Sequence, residues 1–185
     1  MKRFLFLVMV LFLLVIAGNA GFCDDSSDIV RLREKAEEGD ANSQYSLGNM
    51  YKGGRGGLYK DCRQAAYWYR KAADQNHLEA QINLGISYAT GHGVPKDDGQ
   101  ALAWYRKAAD QGHVGAQYIL GVFYTTKSSN SDDDKKAVEW YRKAAEQGHT
   151  QAQYNLGVFY ETGRGVPMDN KQAVSWYRKT ASFRQ

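Results

Sequence analysis

Residues 104–107 read Trp-Tyr-Arg-Lys, and this tetrapeptide occurs four times along the 185-residue chain. Its four copies contain every tryptophan of the sequence and lie 36 residues apart: Trp68, Trp104, Trp140 and Trp176. A Leu-Gly pair recurs upstream of each copy, with spacings of 37, 36 and 36 residues: Leu47-Gly48, Leu84-Gly85, Leu120-Gly121 and Leu156-Gly157. A fixed period of roughly 20 to 50 residues is typical of a solenoid or a repeat array.

The second repeat indicates how each unit divides into two helices. Ala80, Leu84 and Tyr88 recur every four residues, which is the apolar stripe of a helix. Gly85 lies beside this stripe, although a glycine costs up to about 1 kcal/mol inside a helix. The return of this glycine in every repeat predicts a close helix–helix approach that a side chain would obstruct.

A loop at residues 91–97 separates the two predicted helices. Pro95 prevents the first helix from continuing. Asp97 or Asp98 can cap the next helix by accepting hydrogen bonds from its free N–H groups, and Gly112 is placed to end that helix in a left-handed conformation. The second helix carries its apolar stripe at four positions: Ala101, Trp104, Tyr105 and Ala108.

One helix pair cannot bury its own apolar face, so several pairs must stack. The sequence therefore predicts an all-α fold, an α/α solenoid of four helix–turn–helix repeats of about 36 residues each. We expect a capping half-repeat at residues 21–38, followed by repeats at 39–75, 76–111, 112–147 and 148–185. We expect the core at the recurring leucine, tryptophan and tyrosine positions: Leu47, Leu84, Leu120, Leu156, Trp68, Trp104, Trp140, Trp176, Tyr69, Tyr105, Tyr141 and Tyr177.

Residues 1–20 have the composition of a secretory signal peptide. Two basic residues precede an apolar run at 4–17, and small residues follow at 18–20. The run is short for a membrane-spanning helix, which needs about 20 apolar residues. We expect cleavage after Ala20 and a periplasmic or secreted chain that meets a membrane only before cleavage. An uncleaved anchor and a lipoprotein acylated at Cys23 are the alternatives.

The net charge and the number of cysteines limit which partners the chain can bind and which disulfides it can form. Without residues 1–20 the chain has 22 basic and 20 acidic residues, a net charge of +2. That balance, together with export, predicts no nucleic-acid partner. Cys23 and Cys62 are the two cysteines of the chain. Export permits a disulfide between them, and two unrelated cysteines are the alternative.

The second repeat contains a longer recurring pattern: Ala80-Gln81, Leu84-Gly85, Tyr88, Gly91, Gly93-Val94, Asp97, Ala101, Trp104-Tyr105, Lys107 and Ala108-Ala109. This pattern resembles the Sel-one-like repeat, a relative of the tetratricopeptide repeat, and the resemblance covers residues 39 to about 183. It implies a right-handed superhelix of antiparallel helix pairs with a concave binding face. It also implies a non-catalytic adaptor in a multi-protein assembly, in a bacterial envelope or host-contact setting for exported members.

Two loops depart from the pattern. Residues 53–57 are rich in glycine, and residues 125–134 replace the glycine–proline loop with serine, asparagine and aspartate. We expect the second of these loops to be mobile and differently shaped. Asp132–Asp134 sit near the start of the next helix, where negative charge is favoured. Calcium binding is the alternative, but no Glu follows at the distance that such a loop requires.

Recurring histidines raise the possibility of a metal site at one position of the repeat: His77, His113 and His149. Zinc ligands must converge to roughly 2 Å from one ion, whereas helix axes pack about 8 to 10 Å apart. The repeated turn explains these histidines better. We expect no metal, no cofactor and no catalytic residue, since the motifs of nucleophile elbows, zinc proteases and phosphate loops are missing from the sequence.

The predicted function is protein or peptide binding in the concave groove that the first helices line. Five residues outside the core positions are the candidates: Asn49, Asn83, Ser87, Tyr118 and Asn155. A binder or hydrolase of cell-wall fragments and a permanent accessory of an envelope complex are the alternatives. The four Arg-Lys pairs are interpreted as a solvated face, or else as a stripe that meets an acidic partner. We expect self-association at the C-terminal helix, which light scattering across a concentration series would test.

Overall fold

The computed structural model describes residues 24–127 and 130–182, and within these ranges it is helical and contains no strand. Nine helices follow one another in the described part of the chain: α1 (Asp24–Glu37), α2 (Ala41–Gly53), α3 (Cys62–Asp74), α4 (Leu78–Thr90), α5 (Asp98–Asp110), α6 (Val114–Lys127), α7 (Ser131–Glu146), α8 (Thr150–Thr162) and α9 (Asn170–Ser182). None of the described helices is long and apolar enough to cross a membrane. The expected signal peptide and Cys23 lie outside the described residues, so the pairing of Cys23 with the half-buried Cys62 stays a prediction.

Four helix pairs follow α1, and we call the members of each pair its first and second helix. The first helices are α2, α4, α6 and α8, and the second helices are α3, α5, α7 and α9. The chain divides into two compact units, Met1–His77 and Leu78–Gln185. In the first unit α2 packs against both α1 and α3, and in the second unit each helix from α4 to α9 packs against the next. The prediction of an all-α solenoid is confirmed.

Helix ends use the capping residues that the sequence offers. Asp97 rather than Asp98 caps α5, because its carboxylate accepts a hydrogen bond from the backbone N–H of Gln100 at 2.9 Å. Asp61 and Asp169 cap α3 and α9 in the same way. After α5, Gly112 adopts a φ of +90°, the left-handed conformation expected of it.

The segment 125–134 is largely helical, so the expectation of a long loop there is wrong. Thr125 belongs to α6, and its hydroxyl donates a hydrogen bond back to the carbonyl of Gly121 at 2.8 Å. Asn130 caps α7 and accepts hydrogen bonds from two backbone N–H groups at 3.0 Å. Local side-chain bonds of this kind let threonine continue a helix and let asparagine start the next one.

The three aspartates 132–134 form the first turn of α7, where they oppose the helix dipole. Each carboxylate faces a basic side chain: Lys135, Lys136 and Arg164 lie 3.2, 3.9 and 2.6 Å from Asp132, Asp133 and Asp134, respectively. Each of the three carboxylates thus faces a different basic side chain. They do not form the converging oxygen set that calcium needs.

The recurring large residues form the interior. The four leucines are fully buried, and the four tryptophans together with Tyr69, Tyr105 and Tyr141 are buried. Tyr177 is only half-buried, because it lies on α9, the last described helix, and no further described helix packs over it.

The Leu-Gly pair explains how closely the two helices of a repeat approach. A Cβ placed on Gly85 would lie 2.6 Å from Cε1 of Tyr105, and one on Gly48 would lie 2.7 Å from the Tyr69 ring. The other two repeats place Tyr141 against Gly121 and Tyr177 against Gly157. The predicted close approach is confirmed: each glycine leaves room for the tyrosine ring of its partner helix.

Buried glutamines provide the polar links between helices. In the third repeat, Gln117 donates to the carbonyl of Ala109 at 3.2 Å and accepts from the Gln147 amide at 2.8 Å. The first two repeats have the same amide–amide bond, from Gln75 to Gln44 at 2.8 Å and from Gln111 to Gln81 at 3.0 Å. Buried polar groups need such partners, since an unpaired one costs about 1 to 3 kcal/mol.

Candidate functional site

Charged residues are divided unequally between the two helices of each repeat. Every first helix carries a single charged side chain: Lys52, Glu79, Lys127 and Glu161. The second helices α3, α5, α7 and α9 carry four, four, nine and three charged side chains, respectively. Large apolar side chains are exposed on both kinds of helix: Ile86 (38%) and Tyr154 (51%) on first helices, Tyr67 (48%) and Val174 (46%) on second helices. The scarcity of charge is therefore what distinguishes the first helices, and it is typical of an interface core.

The basic residues of the second helices contact the protein's own aromatic rings. Lys107, Lys143 and Lys179 place Nζ at 3.9, 4.1 and 3.8 Å from the ring centres of Trp104, Trp140 and Trp176, respectively. These distances are within cation–π range. The lysine stems thereby cover the tryptophans and keep their charges at the water boundary. This arrangement fits a solvated face.

The five predicted binding residues lie on the first helices but make mostly internal contacts. Asn49 accepts a hydrogen bond from the Tyr69 hydroxyl at 2.7 Å. Asn83 donates to the Glu79 carbonyl at 2.9 Å. Ser87 is buried and donates to the Asn83 carbonyl at 2.9 Å. Asn49 belongs to the first compact unit and Asn83 and Ser87 belong to the second.

The remaining two predicted residues are half-buried and lie in the second unit. Tyr118 stacks on His149, with ring centres 4.4 Å apart. Asn155 accepts a hydrogen bond from Gln151 at 3.3 Å. Its side chain also has a hydrogen bond with the Tyr141 hydroxyl. Their role in binding stays a prediction.

Hydroxyls of the second-helix tyrosines form hydrogen bonds with side chains of the first helices. The sequence analysis did not predict these bonds. Tyr141 donates a hydrogen bond to the Thr125 hydroxyl at 3.1 Å, since the Thr125 proton already goes to Gly121, and Tyr177 donates to the Glu161 carboxylate at 2.7 Å. Burial raises the pKa of Tyr141, and desolvation together with Glu161 raises the pKa of Tyr177 to about 12. These tyrosine pairs could have been identified from the sequence by aligning the first helices and looking for polar residues at the positions that face the tyrosines.

The histidines of the repeat act at helix starts. His113 and His149 each accept a hydrogen bond through Nδ1, from the backbone N–H of Ala116 at 3.1 Å and of Ala152 at 3.2 Å. His77 stacks on Tyr45, as His149 does on Tyr118. Among the described residues, no three side chains of His, Cys, Asp or Glu lie close enough to hold a metal ion.

Acidification is expected to destabilise the second unit at the start of α8, where His149 is the N-cap. Burial lowers the pKa of His149, so the unfolded chain, with a histidine pKa near about 6.5, binds more protons than the folded chain. His149 therefore stabilises the folded chain at a pH above the unfolded pKa. This contribution is lost as the pH falls through the lower pKa of the folded chain. Protonation also removes the Nδ1 acceptor that caps α8. Thermal melts at neutral and mildly acidic pH measure the effect.

The matched control for the acid effect is His149→Asn, because asparagine caps helices well but does not titrate near neutral pH. This variant should lose less melting temperature than wild type over the same pH interval. Equal losses in both proteins would contradict the role of His149. At neutral pH, His149→Ala should cost about 1 kcal/mol, the usual price of a lost N-cap.

An open pocket of about 450 Å³ lies where α5 begins and α6 ends. Six residues line it: Asp98, Gly99, Leu102, Phe123, Thr126 and Lys127. The Lys127 ammonium lies 5.5 Å from the centre of the Phe123 ring. The Thr126 hydroxyl donates a hydrogen bond to the backbone carbonyl of Phe123 at 3.0 Å.

Comparisons with known proteins agree with the repeat geometry. The family described as Sel1 repeat matches four consecutive segments, residues 41–77, 78–113, 114–149 and 150–182. A solved protein of uropathogenic Escherichia coli strains, described as a protective antigen displaying an SLR fold, is 41% identical with a TM-score of 0.77. A Sel1 repeat protein from Oxalobacter formigenes is 35% identical with a TM-score of 0.76.

The relatives are longer than this chain. The matches to the two solved proteins cover 85% and 88% of this chain but 33% and 46% of theirs. A third relative, the ERAD-associated E3 ubiquitin-protein ligase component HRD3A of Arabidopsis thaliana, is 34% identical over 70 residues. Those residues are 38% of this chain and 10% of the plant protein.

Proposed function

Because the chain belongs to the Sel1 repeat family, whose members are generally protein-interaction scaffolds, we propose that it is a non-catalytic scaffold that binds a protein partner through its first helices. We define the first-helix face as the solvent-accessible side chains of α4, α6 and α8, which all belong to the second compact unit. The proposal includes a partner-binding role for the five residues named from the sequence, Asn49 in the first unit and Asn83, Ser87, Tyr118 and Asn155 in the second.

The distribution of charge is the observation that carries the proposal. Burying an unpaired charge in an interface is costly, so binding surfaces are depleted of charge at their centre. The first helices have one charged residue each, whereas the second helices have three to nine. A helix that only had to face water would gain nothing from this depletion.

Two matched variants test which face binds. Tyr154 on α8 is 51% exposed and Tyr67 on the second helix α3 is 48% exposed, so a glutamate should be tolerated by the fold at either position. In a pull-down from the native envelope fraction, Tyr154→Glu should reduce the recovered partner by about tenfold or more, as expected for losing an aromatic anchor. Tyr67→Glu should retain the wild-type yield. Equal retention by both variants would contradict the first-helix face.

We also propose that the chain is exported and works in a bacterial envelope or at a host contact. The support is the composition of residues 1–20, together with an Escherichia coli relative that is a protective antigen. N-terminal sequencing of the protein recovered from its native cell would test cleavage after Ala20. An intact N-terminus in the recovered protein would contradict cleavage.

Self-association at the C-terminal helix α9 is a second proposal, and the exposure of Tyr177 supports it. Tyr177 is half-buried, whereas Tyr69, Tyr105 and Tyr141 at the same repeat position are buried, and no further described helix packs over it. A strict monomer in light scattering would oppose this proposal.

A further inference from the structure

Helix α9 exposes residue types that the preceding repeat buries. The third and fourth repeats align with an offset of 36 residues, which pairs Val138 with Val174 and Tyr141 with Tyr177. Val138 is 3% exposed, whereas Val174 is 46% exposed. Tyr141 is buried, whereas Tyr177 is half-buried. The same valine and tyrosine therefore lie in the core on α7 and at the surface on α9.

The first helix α8 is what covers these positions on α7. Val138 and Tyr141 belong to one buried cluster with Ala152, Leu156 and Phe159 of α8. Phe159 meets the Tyr141 ring edge-on, with ring centres 5.7 Å apart. No further described helix packs over α9 in this way. Its valine and tyrosine therefore lack the apolar cover that α8 gives to their counterparts.

An arginine of α9 lacks a partner of the same kind. Arg142 of α7 donates a hydrogen bond to the Tyr160 hydroxyl of α8 at 2.8 Å, and Arg33 of α1 donates to the Tyr51 hydroxyl of α2 at 3.1 Å. Arg178 of α9 aligns with Arg142. It is exposed and has no hydrogen bond or ion pair among the described residues.

Tyr154 lacks a histidine that its counterpart has. His149, the N-cap of α8, stacks on Tyr118 of the repeat before it, with ring centres 4.4 Å apart. Tyr154 aligns with Tyr118, is 51% exposed and lies beside Tyr177, with ring centres 5.6 Å apart. The sequence contains no histidine after His149, so no histidine of the following residues stacks on Tyr154.

We call Val174, Tyr177 and Arg178, together with the adjacent Tyr154, the α9 surface. All four residues belong to the second compact unit. We propose that the α9 surface binds a helix of a partner protein that carries the pattern of α8. In that pattern a histidine is followed by alanine, leucine, phenylalanine and tyrosine three, seven, ten and eleven residues later. This assignment rests on the proposed protein-binding function, and Tyr154 belongs to both surfaces.

The contacts between α7 and α8 determine the chemistry of the occupant. The alanine, leucine and phenylalanine would cover Val174 and Tyr177, the tyrosine would accept from Arg178, and the histidine would stack on Tyr154. Residues at these spacings fall on one side of a helix, so the occupant is helical. A second copy of the chain does not offer such a helix, because the leucines of its four first helices are fully buried.

A fluorescent synthetic peptide with the sequence of residues 148–163 is a defined probe for the α9 surface. Fluorescence polarisation measures its affinity for the full chain. Circular dichroism follows its helix content, since an isolated helix of this length is marginal in water. The peptide should bind saturably and gain helix content. Leu156→Asp in the peptide should weaken binding about tenfold or more, because it removes the central apolar anchor.

Two exposed valines give a matched pair of variants in the full chain. Val174→Glu places a charge in the apolar part of the α9 surface and should weaken peptide binding about tenfold or more. Val30→Glu makes the same change on α1, where the valine is 57% exposed, and should bind the peptide like wild type. Equal affinities of the two variants would contradict the assignment to α9.

A double-mutant cycle tests the predicted bond from Arg178 to the tyrosine of the peptide. Arg178→Ala in the chain should weaken binding about fivefold, the size of one lost hydrogen bond. Tyr160→Phe in the peptide should weaken binding to the wild-type chain by a similar factor, but should have little further effect on Arg178→Ala. Additive losses would show that Arg178 and this tyrosine do not meet.

Other outcomes also decide between the α9 surface and its alternatives. Absence of saturable peptide binding, or wild-type affinity in both Val174→Glu and Arg178→Ala, overturns the proposal. The protein-binding function survives that result if Tyr154→Glu still reduces partner recovery, and fails with it if Tyr154→Glu has no effect. Self-association that Val174→Glu abolishes but the peptide does not disturb would assign the α9 surface to a second copy and likewise overturn the proposal.

Discussion

Replacing Leu84 with alanine is expected to lower the free energy of unfolding by about 2 to 5 kcal/mol, as other buried leucines do. Leu84 is fully buried in α4, and its removal takes apolar surface out of the core and leaves a cavity. Repeat proteins derive stability from each repeat and its neighbours, so the loss falls mainly on the second compact unit. Urea denaturation followed by circular dichroism measures it.

Ile86 provides the control for Leu84 on the same helix. The two side chains are isomers, but Ile86 is 38% exposed, so Ile86→Ala should cost about 1 kcal/mol or less. Equal losses in Leu84→Ala and Ile86→Ala would contradict the division of α4 into a buried and an exposed side.

Gly121→Ala is expected to destabilise the protein by about 1 to 3 kcal/mol, the usual cost of overpacking. Alanine is the better helix former by up to about 1 kcal/mol, so helix propensity alone predicts the opposite sign. The clash decides the sign, because a Cβ on Gly121 would overlap Cδ1 and Cε1 of the buried Tyr141 ring. Thermal melts or urea denaturation would show which effect is larger.

A second glycine and a double variant test the explanation. Gly99→Ala lies on the exposed first turn of α5, where the added Cβ would meet only Oδ1 of Asp97 at 3.2 Å, and its stability should stay near wild type. Combining Gly121→Ala with Tyr141→Leu should cost less than the sum of the two single changes, since the ring that clashes is gone. Additive losses would show that Gly121 and Tyr141 act independently.

Much of the fold could be predicted because it rests on local periodicity. The helix stripes, the glycine ends and the aspartate caps depend on residues within about four positions of one another, a range that sequence spacing describes directly. The segment 125–134 was predicted wrongly for a related reason. Its Thr, Ser and Asn residues are typical of loops, yet Thr125 bonds within α6 and Asn130 starts α7.

The candidate site could be predicted only in outline. That the first helices supply the binding side chains was an expectation drawn from family resemblance. Of the five residues proposed from the sequence, Ser87 is buried and Asn49 bonds to Tyr69. The bond between Asn49 and Tyr69 joins residues of two different helices, α2 and α3, and the pattern within one helix does not reveal it.

By itself, the sequence determined the period, the helix pairs, the buried leucine and tryptophan positions, and the family. Each of these follows from which residues recur and at what spacing. Only the tertiary structure decided which polar groups find partners. The Asp134–Arg164 ion pair and the Gln147–Gln117 link each join residues about 30 positions apart along the chain. Hydrogen bonds require an acceptor within about 3 Å, and that distance is set by how the helices pack.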